Sequence, residues 1–176
     1  MTPARDRVLS TATRLFYAEG IHTVGIDRVI ADASVAKATF YHHFKSKEDL
    51  VLAYLATEYG RQRTVLSAVP GTGLTRLAAT LTKIADLSAG PGFRGCPFLN
   101  AATEYPDPAT PVRQLVDEYR GWFRTLMFDL LTEAERPGAA EKADLLLLIR
   151  DGITIAGGLG DQAAVQAGLR TALAAV

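Results

Sequence analysis

Cysteine is almost missing from the 176 residues: Cys96 stands alone, so no internal disulfide and no multi-cysteine zinc site can form. Long hydrophobic runs are missing too. The strongest, Leu145 to Ile149, falls far short of the roughly 20 residues that span a bilayer, so no membrane partner is expected. The opening residues, MTPARDRVLS, hold no apolar signal-peptide core, and the expected location is the cytoplasm. Net charge is absent: 19 Lys and Arg balance 19 Asp and Glu, which removes any bulk argument for nucleic acid. No β-type alternation, low-complexity tract or internal repeat stands out. Nor does a nucleophile–base–acid set, a metal-ligand cluster or a glycine-rich phosphate loop, so the chain is expected to be no enzyme and to carry no cofactor or metal.

What is present is a distribution. Residues 1–47 carry seven Lys/Arg against four Asp/Glu, a net +3, together with all three histidines; the remaining residues carry −3. A basic head on an acidic body turns attention to the first segment.

Nearly every stretch reads as helix. Thr2 and Pro3 supply a hydroxyl cap and a first-turn proline, and Val8, Leu9, Ala12, Leu15 and Phe16 form one stripe before Gly20 stops it. A short second helix runs from about Ile26 to Ala33 and a third from about Ala36 to Phe44. Ser46 opens a fourth with a capping box, SKED, in which Asp49 stands for the usual glutamate. VPGTG, Val69 to Gly73, is the expected hinge. Five more helices follow: Leu74, Leu77, Leu81 and Ile84 mark the fifth, CPFLNAATEY the sixth, and Leu115, Tyr119, Trp122, Leu126 and Leu130 the seventh after Thr110–Pro111. An eighth covers about Ala139 to Leu159, and a ninth starts near Asp161. The fold class is all-α, about nine helices.

Three short helices in 44 residues, with a turn of about three residues between the second and third, have the dimensions of a helix-turn-helix. Such a unit lays its last helix in the major groove. Lys37 offers a phosphate charge, Thr39 a base-edge or thymine-methyl contact, Tyr41 and His42 donors at phosphate height, and Lys47 a charge at a helix N-terminus. Phe40 and Phe44 point inward. His43 can pack on the first helix or touch phosphate, and His22 is expected to be exposed. For all the polar residues a plain solvated helix face is the competing reading.

GIDRVIADASVAKATFYHHFKSKEDL, Gly25 to Leu50, resembles the DNA-binding segment of the tetracycline-repressor (TetR/AcrR) family. Ala33, Val35, Lys37, Thr39, Tyr41, His43, Phe44, Ser46, Lys47, Glu48 and Leu50 match its pattern. GCPFLNAATEYPDPATPVR, Gly95 to Arg113, is similar to a segment in one branch of its C-terminal domains. Two positions depart from the pattern: Ser34 stands where the turn glycine is usual, and Ala38, rather than glycine, follows Lys37. The resemblance implies a helix-turn-helix DNA-binding domain at 1–47, whose connecting helix starts near 46, and a ligand-binding and dimerisation domain at 48–176. It also implies a homodimer on a pseudo-palindromic double-stranded DNA operator, a repressor, and a small, largely apolar effector. The DNA-contacting set is Lys37, Ala38, Thr39, Tyr41, His42 and Lys47.

The aromatics crowd the middle of the chain. Core packing accounts for most of them, and the resemblance implies that some line a cavity: Phe93, Phe98, Asn100, Glu104, Tyr105, Tyr119, Trp122, Phe123 and Met127 are the expected set, the polar ones to orient the effector. Leu145 to Ile149 is apolar all round, too much for one face. With the last helix it gives an expected dimer seam of Leu145, Leu148, Ile149, Ile153, Val165, Leu169 and Leu173. The glycines of DGITIAGGLGD point to close helix approach or a frayed end. Cys96 as an oxidation sensor, with only Arg94 nearby in sequence, and a family member without selective DNA binding are the alternatives.

Overall fold

The computed structural model describes residues 3–176. Among them are nine helices and no strand: α1 (Ala4–Glu19), α2 (Ile26–Asp32), α3 (Lys37–His43), α4 (Lys47–Ser67), α5 (Gly73–Ser88), α6 (Pro97–Glu104), α7 (Pro111–Glu133), α8 (Ala139–Gly158) and α9 (Gln162–Ala174). No described helix is long and apolar enough to cross a membrane. The expected Thr2 cap lies outside the described residues, and Pro3 takes the N-cap position instead of the first helical one.

Local chemistry sets the breaks. Gly20 ends α1 at φ +93°, where an L residue is strained. The turn after α2 is a Schellman motif: Val35 N–H donates to Ile30 O at 3.3 Å and Ser34 N–H to Ala31 O at 3.0 Å. Its left-handed position falls on Ser34, at φ +52°. The Ser46 hydroxyl accepts from Asp49 N–H at 3.0 Å as expected. The Asp49 carboxylate, one methylene shorter than glutamate, takes Lys45 N–H at 3.1 Å rather than that of Ser46. Thr110 and Asp161 cap α7 and α9.

Two apolar clusters fill the body. One joins Leu15, Phe16, Val29, Phe40 and Phe44 of the head through Leu50, Tyr54 and Leu55 of α4 to Phe98, Val116 and Tyr119, so the head's core continues into α6 and α7. The second lies among α5, α7, α8 and α9 around Leu77, Leu81, Met127, Leu131 and Leu146. Burying a leucine contributes about 1.5–3 kcal/mol, and cores of this size exceed any single cap or ion pair.

α8 is the least forgiving element. A Cβ on Gly157 would stand 2.4 Å from Ser88 O, and one on Gly158 2.9 Å from Gly95 N. These two glycines serve close approach rather than fraying. Ala143, Leu146, Arg150, Ile153 and Gly157 face inward. The opposite side carries Leu145, Leu148, Gly152, Ile155 and Leu159, spaced three and four apart, all exposed. Ile153 and Val165, expected in a dimer seam, are buried in their own chain. Ile155 and Leu159 take their place on the open stripe. The helical period decides this, since 146, 150 and 153 share the inward face and cannot also face out. Leu173 is exposed, and Leu169 and Ile149 are half-buried.

Candidate nucleic-acid interface and internal cavity

α3 is held from beneath by Phe40 and Phe44, both buried, with Arg5 stacked 5.3 Å from the Phe44 ring centroid. Its outer face presents Lys37, Ala38, Tyr41, His42 and His43, all exposed, and Thr39, half-buried. His43 is therefore not packed on α1. Tyr41 stands edge-on to Phe40 at 5.2 Å and remains 40% exposed. Lys37 bridges to Asp27 of α2 at 3.0 Å across two exposed side chains, a pairing that solvent screens and that adds little to stability. Lys47 is half-buried, its Nζ 3.5 Å from His22 O. Burial holds its pKa below the ordinary lysine value, against the nearby Glu104 charge. It is thus partly tied to the head–body junction.

That junction is organised by Glu104, at the end of α6. Its two carboxylate oxygens accept from the backbone N–H of Ile21 at 2.8 Å and of His22 at 2.5 Å, and Tyr105 lies against the His22 ring at 5.0 Å. Tyr17 of α1 reaches the α5–α6 loop, donating to Gly95 O at 3.1 Å and accepting from Arg94 N–H at 2.8 Å. Asn100 donates to Arg94 O at 3.0 Å. Glu104, Tyr105 and Asn100, expected to orient an effector, instead fasten the head and its adjoining loop.

The cavity lies beside this junction, with a volume of about 450 Å³. Its walls come from α1, α4, the end of α5 and the loop after it, with Tyr119 of α7 and Arg150 and Thr154 of α8. Of the expected lining residues it contains Phe93 and Tyr119. Phe98, Phe123 and Met127 are buried in the core, Phe98 stacked on Tyr119 at 3.7 Å, and half-buried Trp122 packs between the two clusters. The centroid spacing of Tyr59 to Tyr119, 5.6 Å, extends the same aromatic packing.

A polar cluster closes one wall. Arg150, 3% exposed, donates from Nη1 to Asp151 at 2.8 Å, and from Nη2 to the Tyr119 hydroxyl and to Cys96 Sγ, the latter at 3.3 Å. The Tyr119 hydroxyl in turn donates to Gln62 Oε1 at 2.5 Å. The second oxygen of Asp151 takes Arg120. Burial works against the Arg150 charge, but Cys96, Tyr119 and Asp151 around it hold its pKa above the ordinary arginine value. Burial likewise pushes Tyr119 and Tyr54 up beyond the usual tyrosine range. Sequence reasoning missed Arg150, Gln62 and the cavity role of Cys96. One signal was present: Arg150 falls on the inward period of α8 between Leu146 and Ile153, where a charge needs a partner.

Residues 8–54 match the family model described as bacterial regulatory proteins, tetR family, and residues 73–168 the tetracyclin repressor-like C-terminal domain. The crystal structure of a TetR-family transcriptional regulator from Streptomyces coelicolor superposes with a TM-score of 0.91 at 42% identity, over 97% of this chain and 88% of that one. The HTH-type transcriptional regulator YjdC of Escherichia coli is 26% identical over 84% of this chain and 80% of its own length. LmrA of Bacillus subtilis, another HTH-type transcriptional regulator, is 28% identical over 68% of this chain and 66% of its own. With the two family models covering its head and most of its body, the chain belongs to the TetR family of transcriptional regulators.

Proposed function

We propose that the chain is a ligand-responsive, one-component repressor that binds a pseudo-palindromic operator as a homodimer. The observation that carries this is the wall of the cavity: α1 of the head and α4, the helix that connects head to body, both line it. A molecule filling that space presses on the elements that set where α3 lies. The exposed stripe of α8 supplies an apolar surface for a two-fold partner, and reading successive major grooves requires the two α3 helices to lie about 34–36 Å apart, one turn of DNA. Effector binding tilts α4 and changes that spacing, and the coupling equals the difference in ligand affinity for the two spacings. Lys37, Thr39, Tyr41, His42 and Ala38 carry the groove contacts, and Lys47 joins once it leaves His22.

The test is selection of bound fragments from the source genome in about 0.15 M salt, with Tyr41→Ala and Lys47→Ala alongside. The wild type enriches one pseudo-palindrome, with affinity falling steeply as salt rises, and both variants lose it. No enrichment, or the same fragments from the variants, refutes the assignment of α3.

A further inference from the structure

The polar cluster on the cavity wall has unequal charge. Arg120 and Arg150 share a single carboxylate, Asp151, one oxygen each. The surplus positive charge is biased toward Arg150, because Arg120 is the more exposed of the two. The other partners of Arg150 are all uncharged: the Tyr119 hydroxyl, the Cys96 sulfur, a weak acceptor, and the ring faces of Tyr119 and Phe123 at 5.0 and 5.3 Å. Arg150 also lines the cavity, so an anion there meets a buried guanidinium with a neutral partner to displace. The rest of the lining agrees. Arg14, Arg61 and Arg94 also contribute to it, and among the described residues Glu58 is its one carboxylate. Glu58 is itself held by Arg61 at 2.6 and 3.0 Å. Away from these charges the walls are apolar: Val65, Leu66, Ile84, Leu87 and Phe93.

We infer that the cavity takes an amphipathic monocarboxylate, whose carboxylate pairs with the Arg150 guanidinium in place of the Cys96 sulfur and whose apolar body fills the space between α4 and α5. This rests on reading the cavity as the effector site and names the chemical class that fills it. A carboxylate there accepts a charge-assisted hydrogen bond from Nη2 that a neutral alcohol cannot match, and it covers Cys96. The volume, about 450 Å³, lies within the range of roughly 300–1,000 Å³ typical of small-molecule sites.

The experiment is calorimetric titration of the full chain with two head-group series: 1-naphthoate against 1-naphthalenemethanol and 1-naphthylmethylammonium, and octanoate against 1-octanol and octylammonium. Alkylation of Cys96 by N-ethylmaleimide, read by mass, is followed in parallel; Cys96 is the only thiol, so the readout is unambiguous. In at least one series the carboxylate binds tighter than its alcohol by roughly tenfold or more, the worth of a charged hydrogen bond, the ammonium binds least, and the carboxylate slows alkylation. Arg150→Gln abolishes the preference while Arg150→Lys keeps part of it. Should Arg150→Gln fail to fold, the wild-type comparison decides alone. Alcohols binding as tightly as acids overturn the carboxylate assignment and leave the effector cavity standing. Carboxylate binding without protection of Cys96 overturns the placement at Arg150. No binding by either series overturns this inference and removes the support for an effector site as well.

Discussion

Leu148 lies on the exposed α8 stripe and is 65% exposed, with Leu159 at 79% beyond it. Full burial of a leucine contributes about 1.5–3 kcal/mol, so roughly two thirds of that, about 1–2 kcal/mol, is unrealised at Leu148 in the isolated chain. In a two-fold seam the residue appears twice, so Leu148→Glu removes about 2–4 kcal/mol of association energy before any carboxylate repulsion is added. That is roughly a 30- to 1,000-fold weaker dimer. Sedimentation equilibrium across nanomolar to micromolar concentrations measures it. Thr82→Glu, on an exposed position of α5, serves as the control. The helical circular-dichroism signal of the variant stays at the wild-type level, because the side chain makes little contact inside its own chain. A variant that dimerises within threefold of the wild type refutes the seam. So does a wild type that remains monomeric at tens of micromolar.

Three further outcomes follow from the geometry. Ser34→Gly relieves a left-handed conformation costing an L residue about 1–2 kcal/mol, against which glycine's greater backbone entropy loss on folding costs about 0.5–1 kcal/mol; the net is a stabilisation of about 0.5–1 kcal/mol that raises Tm by about 1–4 °C in a calorimetric scan, and a fall in Tm refutes the strain at φ +52°. Glu104→Gln keeps one acceptor oxygen of two, costs about 1–2 kcal/mol in urea titration and speeds amide exchange at Ile21 and His22; unchanged exchange there shows that the clamp does not hold the head. Tyr54 and Tyr119 have folded pKa values raised by burial, so their contribution is complete below the unfolded value near pH 10 and is lost as pH rises above it; urea midpoints fall from about pH 10 upward, and a flat profile to pH 11.5 contradicts the burial of both phenols.

The elements that local chemistry specifies were legible. Ser46 with Asp49, Thr110 before Pro111 and Asp161 before α9 announce helix starts because a hydroxyl or carboxylate satisfies a free backbone N–H three residues on, wherever the chain goes next. The α3 surface was legible because its inward residues, Phe40 and Phe44, sit four apart and fix which side is left out. The cavity was not. Its wall depends on which aromatics meet which, and Phe98, Phe123 and Met127 are as apolar as Phe93 while lying on the core side. Glu104 serves groups more than eighty residues earlier in the chain, and Cys96 meets Arg150 across 54 residues, distances over which sequence spacing carries no signal. Ile153, expected on the outer face of α8, lies inward because an all-apolar run such as Leu145–Ile149 has no period of its own, and its orientation was decided by Arg150 and Gly157 further along.

The same long-range contacts supply a route from cavity to head. Gln62 of α4 accepts from Tyr119 of α7, which accepts from Arg150 of α8, so a ligand that draws on Arg150 alters the hydrogen bond holding α4. From Ser46 to Gln62 the helix is about 24 Å long at 1.5 Å per residue, and a 5° tilt about its Gln62 end moves the head by about 2 Å. In a dimer the two displacements add to about 4 Å, more than a tenth of the helical repeat that separates successive major grooves. A small tilt about Gln62 is therefore a large displacement at the head. Gln62→Leu removes the acceptor and keeps the volume. It leaves operator affinity without ligand within about threefold, and lowers the ligand-induced loss of affinity from the usual range of roughly 5- to 150-fold to less than about threefold. Fluorescence anisotropy on the selected operator, with and without a carboxylate that binds the cavity, measures both quantities. Full coupling in Gln62→Leu would mean that the signal leaves the cavity through α1 and Tyr17, which bonds the same loop that carries Arg94 and Gly95.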